Sequence, residues 1–178
     1  MPGRNPVTDW QEQLTNALRL THTPRLVGGL PEPFYQAATG SSLSEVQFTR
    51  DYERSALHEL AHWCIAGEAR RCMDDYGYWY EPDGRTVRQQ ARFFEVEIKP
   101  QALEKHFCHA LDIPFDVSVD NLGNTAVDGI DVFRARVDRQ YARYAATGLP
   151  ARASVVYDHL HRWKQCQPGT ASTIKRRR

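Results

Sequence analysis

The run Leu57-His58-Glu59-Leu60-Ala61-His62-Trp63-Cys64-Ile65 constrains this chain more than any other. Leu57, Leu60, Ala61, Cys64 and Ile65 recur at helical spacing, which predicts an amphipathic helix over residues 52–71 with its apolar stripe against a core. His58 and His62 are four apart, so their side chains stack on one side of that helix. Any fold that accepts this helix must bury one flank and leave two imidazoles free to converge on a shared point.

The surrounding chain reads as more helix with a little sheet. Thr8 and Gln11 resemble a capping box ahead of Trp10, Leu14, Ala17 and Leu18, a first helix that should end before Pro24. Residues 24–40, broken by Pro31, Pro33 and adjacent glycines, predict loops around one short strand at Arg25-Leu26-Val27. Val46 and Phe48 alternate with polar neighbours as in a half-buried strand, and Tyr76-Gly77-Tyr78-Trp79-Tyr80 has strand composition before the turn signal Pro82-Asp83-Gly84. A second long helix is expected over residues 86–111, kinked or restarted at Pro100. An extended piece and loop follow over 114–123, and then two helices, 128–146 and 151–165, separated by Gly148-Leu149-Pro150. The expectation is an α+β fold: one mostly helical domain over residues 1–167 with a small sheet, and a basic, flexible tail over 168–178.

Charge and cysteine usage exclude several classes. Lys and Arg (23) nearly balance Asp and Glu (22), so no global field marks a nucleic-acid binder. Cys64, Cys72, Cys108 and Cys166 stand singly and read as reduced packing residues, without a zinc knuckle or a redox dithiol. No stretch approaches the roughly 20 apolar residues of a membrane helix, and the first residues lack the apolar core of a secretory signal. A cytoplasmic address follows as the expectation, with no membrane and no direct nucleic-acid partner.

His-Glu-x-x-His on a helix is a metal-gripping pattern. In peptidases that carry it, the glutamate is general base on metal-bound water. Two histidines at this spacing also occur on ordinary helix surfaces; Glu59 between them and an acidic segment further on favour a metal site. Such a site takes a third protein ligand and leaves a position open. Glu95 and Glu97 supply candidates, and residues two apart on a helix do not share a face, so at most one of them ligates. Pattern alone divides the choice between them almost evenly, with His106, His109 and Asp75 as outsiders. Two histidines and a carboxylate suit Fe, Mn or Zn, in oxygenases as in hydrolases.

Other residues have both functional and structural readings. Tyr76, Tyr78, Trp79 and Tyr80 could line a pocket for an aliphatic ammonium, since aromatic faces attract cations, but core packing accounts for them more simply. Arg70 and Arg71 sit where a helix C-terminus favours cations. With Arg85, Arg88, Arg92 and Lys99 they could form a basic rim that steers an acidic protein to the metal. Asp120 and Asn121 read first as turn formers.

At Ser55-Ala56-Leu57-His58-Glu59-Leu60-Ala61-His62-Trp63-Cys64-Ile65-Ala66-Gly67 the sequence resembles the bacterial elongation factor P hydroxylase family. The resemblance continues through Gly77-Tyr78-Trp79-Tyr80, Pro82-Asp83-Gly84-Arg85, Val96-Glu97-Ile98-Lys99-Pro100-Gln101-Ala102-Leu103 and Asp120-Asn121-Leu122. These stretches span residues 51–122; the remainder agrees mainly in length and helical pattern.

The resemblance implies a metal-dependent hydroxylase acting on the β-lysylated lysine of elongation factor P, with a zincin-like arrangement of the metal helix rather than the jelly roll of 2-oxoglutarate oxygenases. It implies His58, His62 and Glu97 as ligands, Glu97 outranking Glu95 because the Val-Glu-x-Lys-Pro-Gln run aligns there. It implies elongation factor P as protein partner; Fe(II) is the expected metal, with Zn or Mn possible at the same ligands, O2 the expected co-substrate and a monomer the expected state. Glu59 is the expected catalytic residue, to orient ligands, assist proton transfer or bind the substrate ammonium, since a hydroxylase has no need of a base on metal-bound water; Tyr78, Trp79, Arg85 and Asp120 are the expected substrate contacts. Two readings compete: a zinc hydrolase with Glu59 as base, and a noncatalytic binder of elongation factor P with a structural metal.

Overall fold

A computed structural model of the chain describes residues 24–50, 52–77, 85–119 and 129–167. The expected helix after Thr8, Tyr78 to Gly84, the loop from Asp120, and the basic tail lie outside the described residues.

The sheet has three strands, β1 (Arg25–Leu30), β2 (Phe34–Gln36) and β3 (Glu45–Thr49), in the order β1-β3-β2. β3 is central: it pairs in parallel with β1, Leu26 against Val46, and antiparallel with β2, Tyr35 against Val46. Val46 and Phe48 alternate inward and are fully buried, as their pattern predicts. The strand expected at 25–27 runs on to Leu30, and β2 is an addition, a three-residue edge strand that starts directly after Pro33.

Four helices of more than one turn's length complete the described fold: α1 (Glu53–Ile65), α3 (Val87–Leu111), α4 (Ile130–Thr147) and α5 (Ala151–Gln165), with a single turn α2 (Glu68–Arg71) after α1. The domain is mostly helical with a small sheet, the expected α+β class. The helix expected over 52–71 breaks after Ile65, because Ala66 and Gly67 are extended and the freed Ala66 carbonyl accepts from the guanidinium groups of Arg71 and Arg152. α3 does not restart at Pro100. Proline denies Val96 its intrahelical N–H, but Val96 is exposed, so water can serve that carbonyl. At its N-terminus Thr86 and Gln89 form a reciprocal capping box.

Tyr76 and Gly77 belong to a 3-10 turn, not a strand: Asp75 and Tyr76 both have positive φ (46° and 56°). The Asp74 and Asp75 carboxylates accept the backbone N–H groups of Ala37 and Tyr35, and Tyr76 stacks on Tyr35 at 4.2 Å, so the turn is bonded to the β2 edge.

The main core joins β2, β3, α1, the C-terminal half of α3 and α5 through Phe48, Leu57, Leu60, Leu103, Phe107 and Leu160. A second cluster, with Phe94 stacked on Phe133 at 4.3 Å, docks α4 on α3. Burying a Leu or Phe contributes about 1.5–3 kcal/mol, so the six buried apolar or aromatic side chains at Ala56, Leu57, Leu60, Ala61, Trp63 and Cys64 are ample to seat α1. The cysteines divide: Cys64 and Cys108 are buried, each thiol pushed up to about 12 by burial, whereas Cys72 and Cys166 are exposed and do not pack. Among the described residues no helix is long and apolar enough to cross a membrane.

Candidate metal centre

α1 and α3 pack side by side, and their facing surfaces bring two imidazoles and one carboxylate together. His58 Nε2 and His62 Nε2 approach to 3.1 Å, as one helical turn dictates. From α3, Glu97 Oε1 stands 3.2 Å from His62 Nε2, and Oε2 stands 3.5 Å from His58 Nε2. One donor atom from each residue falls within 4.8 Å of the others. Metal–ligand bonds of about 2.0–2.2 Å place neighbouring donors about 3.0–3.5 Å apart at octahedral or tetrahedral angles, so the three separations fit the edges of a coordination shell. Both imidazoles retain roughly a quarter of their exposure (23% and 24%), whereas Glu97 is 6% exposed at its side chain, so the cluster opens to solvent on the histidine side.

The electrostatics fit a cation site. Burial works to raise the Glu97 carboxyl, but the adjacent His62 and His58 and a hydrogen bond from Gln101 hold it down at about 2. Burial works to lower the His58 imidazole, but the Glu104 hydrogen bond and the Glu97 charge raise it to about 10. These shifts belong to the metal-free cluster, in which protons neutralise a buried carboxylate that a metal ion would otherwise neutralise.

A further ring of polar side chains holds the donors. Gln101 Nε2 donates to Glu97 Oε2 (3.4 Å) and to the Ser118 carbonyl (2.8 Å), and its Oε1 accepts from Ser118 N–H (3.0 Å). Glu104 Oε2 accepts from His58 Nδ1 at 3.0 Å. Its Oε1 accepts from Arg54 Nε and Nη2 at 3.0 and 2.7 Å, and Arg54 also donates to the Asp116 carbonyl. Glu97, Gln101 and Glu104 are spaced by four and three along α3 and all are buried, a polar stripe on one face of the helix. Gln101 and Glu104 were not anticipated from the sequence; their spacing from Glu97 was the available signal.

The other anticipated residues separate clearly. Glu59 is half-buried beside His58; burial raises its carboxyl against the opposing charges of His58 and His62. Glu95 is exposed and pairs with Arg136 of α4, so it does not ligate alongside Glu97. His106 stacks on Tyr141 at 4.1 Å and donates to its carbonyl, His109 bonds the Tyr141 hydroxyl, and Asp75 is committed to Tyr35. Arg85 lies with its guanidinium over Phe93, before the start of α3. Tyr78, Trp79 and Asp120 lie outside the described residues. The basic rim does not assemble as one: Arg70 and Arg71 donate to the Tyr76 and Ala66 carbonyls, and Arg88, Arg92 and Lys99 share the exposed α3 face of Glu95, about half a turn from Glu97.

Fold and site together define a small α+β protein whose two packed helices present a two-histidine, one-carboxylate donor set. The family model for elongation factor P hydroxylase matches residues 14–173. A relative from Haemophilus influenzae, "Elongation factor P lysine hydroxylase", is 43% identical over 136 residues, 76% of each chain. The chain belongs to the elongation factor P hydroxylase family.

Proposed function

We propose that this protein hydroxylates the β-lysylated lysine of elongation factor P, as a non-haem iron monooxygenase with Fe(II) held by His58, His62 and Glu97. The observation that carries the reading is the convergence of those three donors from two helices, in a chain of a hydroxylase family. The relative's name supplies the substrate. Both names are those of hydroxylases, and neither supports the hydrolytic alternative.

Iron bound there would supply the capacity to activate O2, which imidazole and carboxylate side chains alone lack. In the net reaction one oxygen atom replaces a C–H hydrogen as C–OH and the second leaves as water, with two electrons and two protons drawn from an external reductant. The chain's own residues place and hold: Gln101 fixes the Glu97 carboxylate, and the open histidine side gives a side chain access. Glu59, its carboxyl raised by burial, is assigned to proton handling or to the substrate ammonium. Tyr78, Trp79, Arg85 and Asp120 are assigned to substrate contact. The zincin-like disposition of the metal helix, a domain spanning 1–167 with a basic tail over 168–178, monomeric state, cytoplasmic location, and independence of membrane and nucleic acid belong to the same proposal.

The test is intact-mass measurement of lysylated elongation factor P after incubation with the protein, Fe(II) and a reductant in air. A gain of one oxygen atom that disappears with His58→Ala is expected. An unchanged mass across Fe, Mn and Zn and across reductants sinks the assignment.

A further inference from the structure

Glu104 lies behind the donor cluster, on the far side of the His58 ring from Glu97. We infer that Glu104 is the positioning residue of this centre, holding His58 in the Nδ1–H tautomer with Nε2 turned toward His62 and Glu97. The inference rests on the reading of His58, His62 and Glu97 as metal ligands.

Three observations carry it. Glu104 is 1% exposed, and a carboxylate that deep persists only with its oxygens satisfied. Its oxygens are divided: Arg54 spends both Nε and Nη2 on Oε1, which leaves Oε2 to His58 Nδ1 at 3.0 Å. In a fork-to-fork pair a guanidinium spans both oxygens side by side; here it takes one and leaves the other to the imidazole. Arg54 is itself fixed by the Asp116 carbonyl at 2.7 Å, so the chain from Asp116 through Arg54 and Glu104 ends at the imidazole.

The consequence follows from ring geometry. A carboxylate paired with a guanidinium can only accept, so Nδ1 keeps its hydrogen and the proton that a metal displaces is the one on Nε2, whose lone pair is then free for it. Turning the ring half a revolution about its bond to Cβ would put carbon where Nε2 stands. The Glu104 hydrogen bond opposes that turn, the role carboxylates play behind metal-bound histidines.

The test uses the full chain, its Glu104→Gln variant and its Arg54→Lys variant, with zinc as a redox-silent probe. Zinc affinity is read by competition with a chelator, and the His58 tautomer by nitrogen-correlated NMR of the imidazoles in the zinc-bound protein, where the ring is neutral. Glu104→Gln is expected to bind zinc about 10- to 100-fold more weakly and to lose the single Nδ1–H signature of His58. Arg54→Lys keeps the carboxylate but loosens it, and is expected to shift both readouts the same way by less. A purely structural Glu104 lowers the melting temperature but leaves affinity and ring signals of the folded protein unchanged, and that result overturns the inference. Should Glu104→Gln fail to fold, unchanged values in Arg54→Lys overturn it equally. An unaltered chain that binds no zinc overturns the ligand reading and this inference together, a separate and recognisable result.

Discussion

Glu95 and Glu97 stand two residues apart on α3 and serve opposite sides of it: Glu97 faces His58 and His62, while Glu95 faces Arg136 across an exposed contact with α4. Paired substitutions should therefore separate cleanly. Glu97→Gln is expected to abolish stoichiometric metal binding, measured by metal analysis after gel filtration, whereas Glu95→Gln retains it and leaves the melting temperature essentially unchanged, since exposed ion pairs contribute little. Equal metal loss in both variants would reject this division.

Metal should stabilise the fold by tying α1 to α3. Saturating a site to 100 times its dissociation constant contributes about 2.7 kcal/mol, which for a domain of this size raises the melting temperature by about 5–10 °C. The rise is expected with Fe(II) under anaerobic conditions and with Zn, and should vanish in His62→Ala. A melting curve indifferent to every metal contradicts it.

Protons compete with the metal. The His58 pKa of about 10 lies above its ordinary 6.5, so at neutral pH a metal must displace a proton. Calorimetry in buffers of different ionisation enthalpy should show release of about one proton at pH 7, and affinity should climb with pH. For the metal-free protein the signs run oppositely for the two groups. The His58 contribution is fully present below pH 6.5 and is lost as pH rises through about 10; the Glu97 contribution is present above 4.5 and is lost as pH falls through about 2. These two groups therefore favour greatest stability between pH 4.5 and 6.5 in chelator, measurable as a denaturant midpoint; a midpoint that rises steadily from pH 5 to 9 counts against it.

Phe133 tests the packing independently of the chemistry. It is 1% exposed and stacks on Phe94 between α3 and α4. Phe133→Ala should cost about 3–5 kcal/mol in denaturant unfolding while the folded protein keeps its metal affinity. A large affinity loss at unchanged stability would place α4 in the site.

The long helices were legible because Leu57, Leu60, Ala61 and Cys64, and the Gly148-Leu149-Pro150 break, encode their state locally. β2 was not, since three residues after a proline carry too little period to register. Tyr76 misled because aromatic composition favours a strand, while its stacking on Tyr35 and the bonds from Asp74 and Asp75 fix a turn through tertiary contacts. The histidine pair was visible in the sequence; the choice of Glu97 over Glu95 needed the family pattern, and the structure sets them on different faces. Glu104 escaped notice because a glutamate on a helix reads as a solvated residue until Arg54, fifty positions earlier, is found against it.

The link between β3 and α1 makes the sheet, which contributes no donor, a gear for the site. Only three residues separate Thr49 from Glu53, and Thr49 N–H is bonded to the Ser55 hydroxyl, so the strand's end meshes with the first turn of the helix. Inserting or deleting one residue inside the helix between Ser55 and His58 would turn the imidazoles by about 100° relative to that contact. Both imidazoles would then swing off the α3 carboxylate while every donor remained in the chain, so the three-residue spacing from Ser55 to His58 is as much a part of the site as the donors themselves.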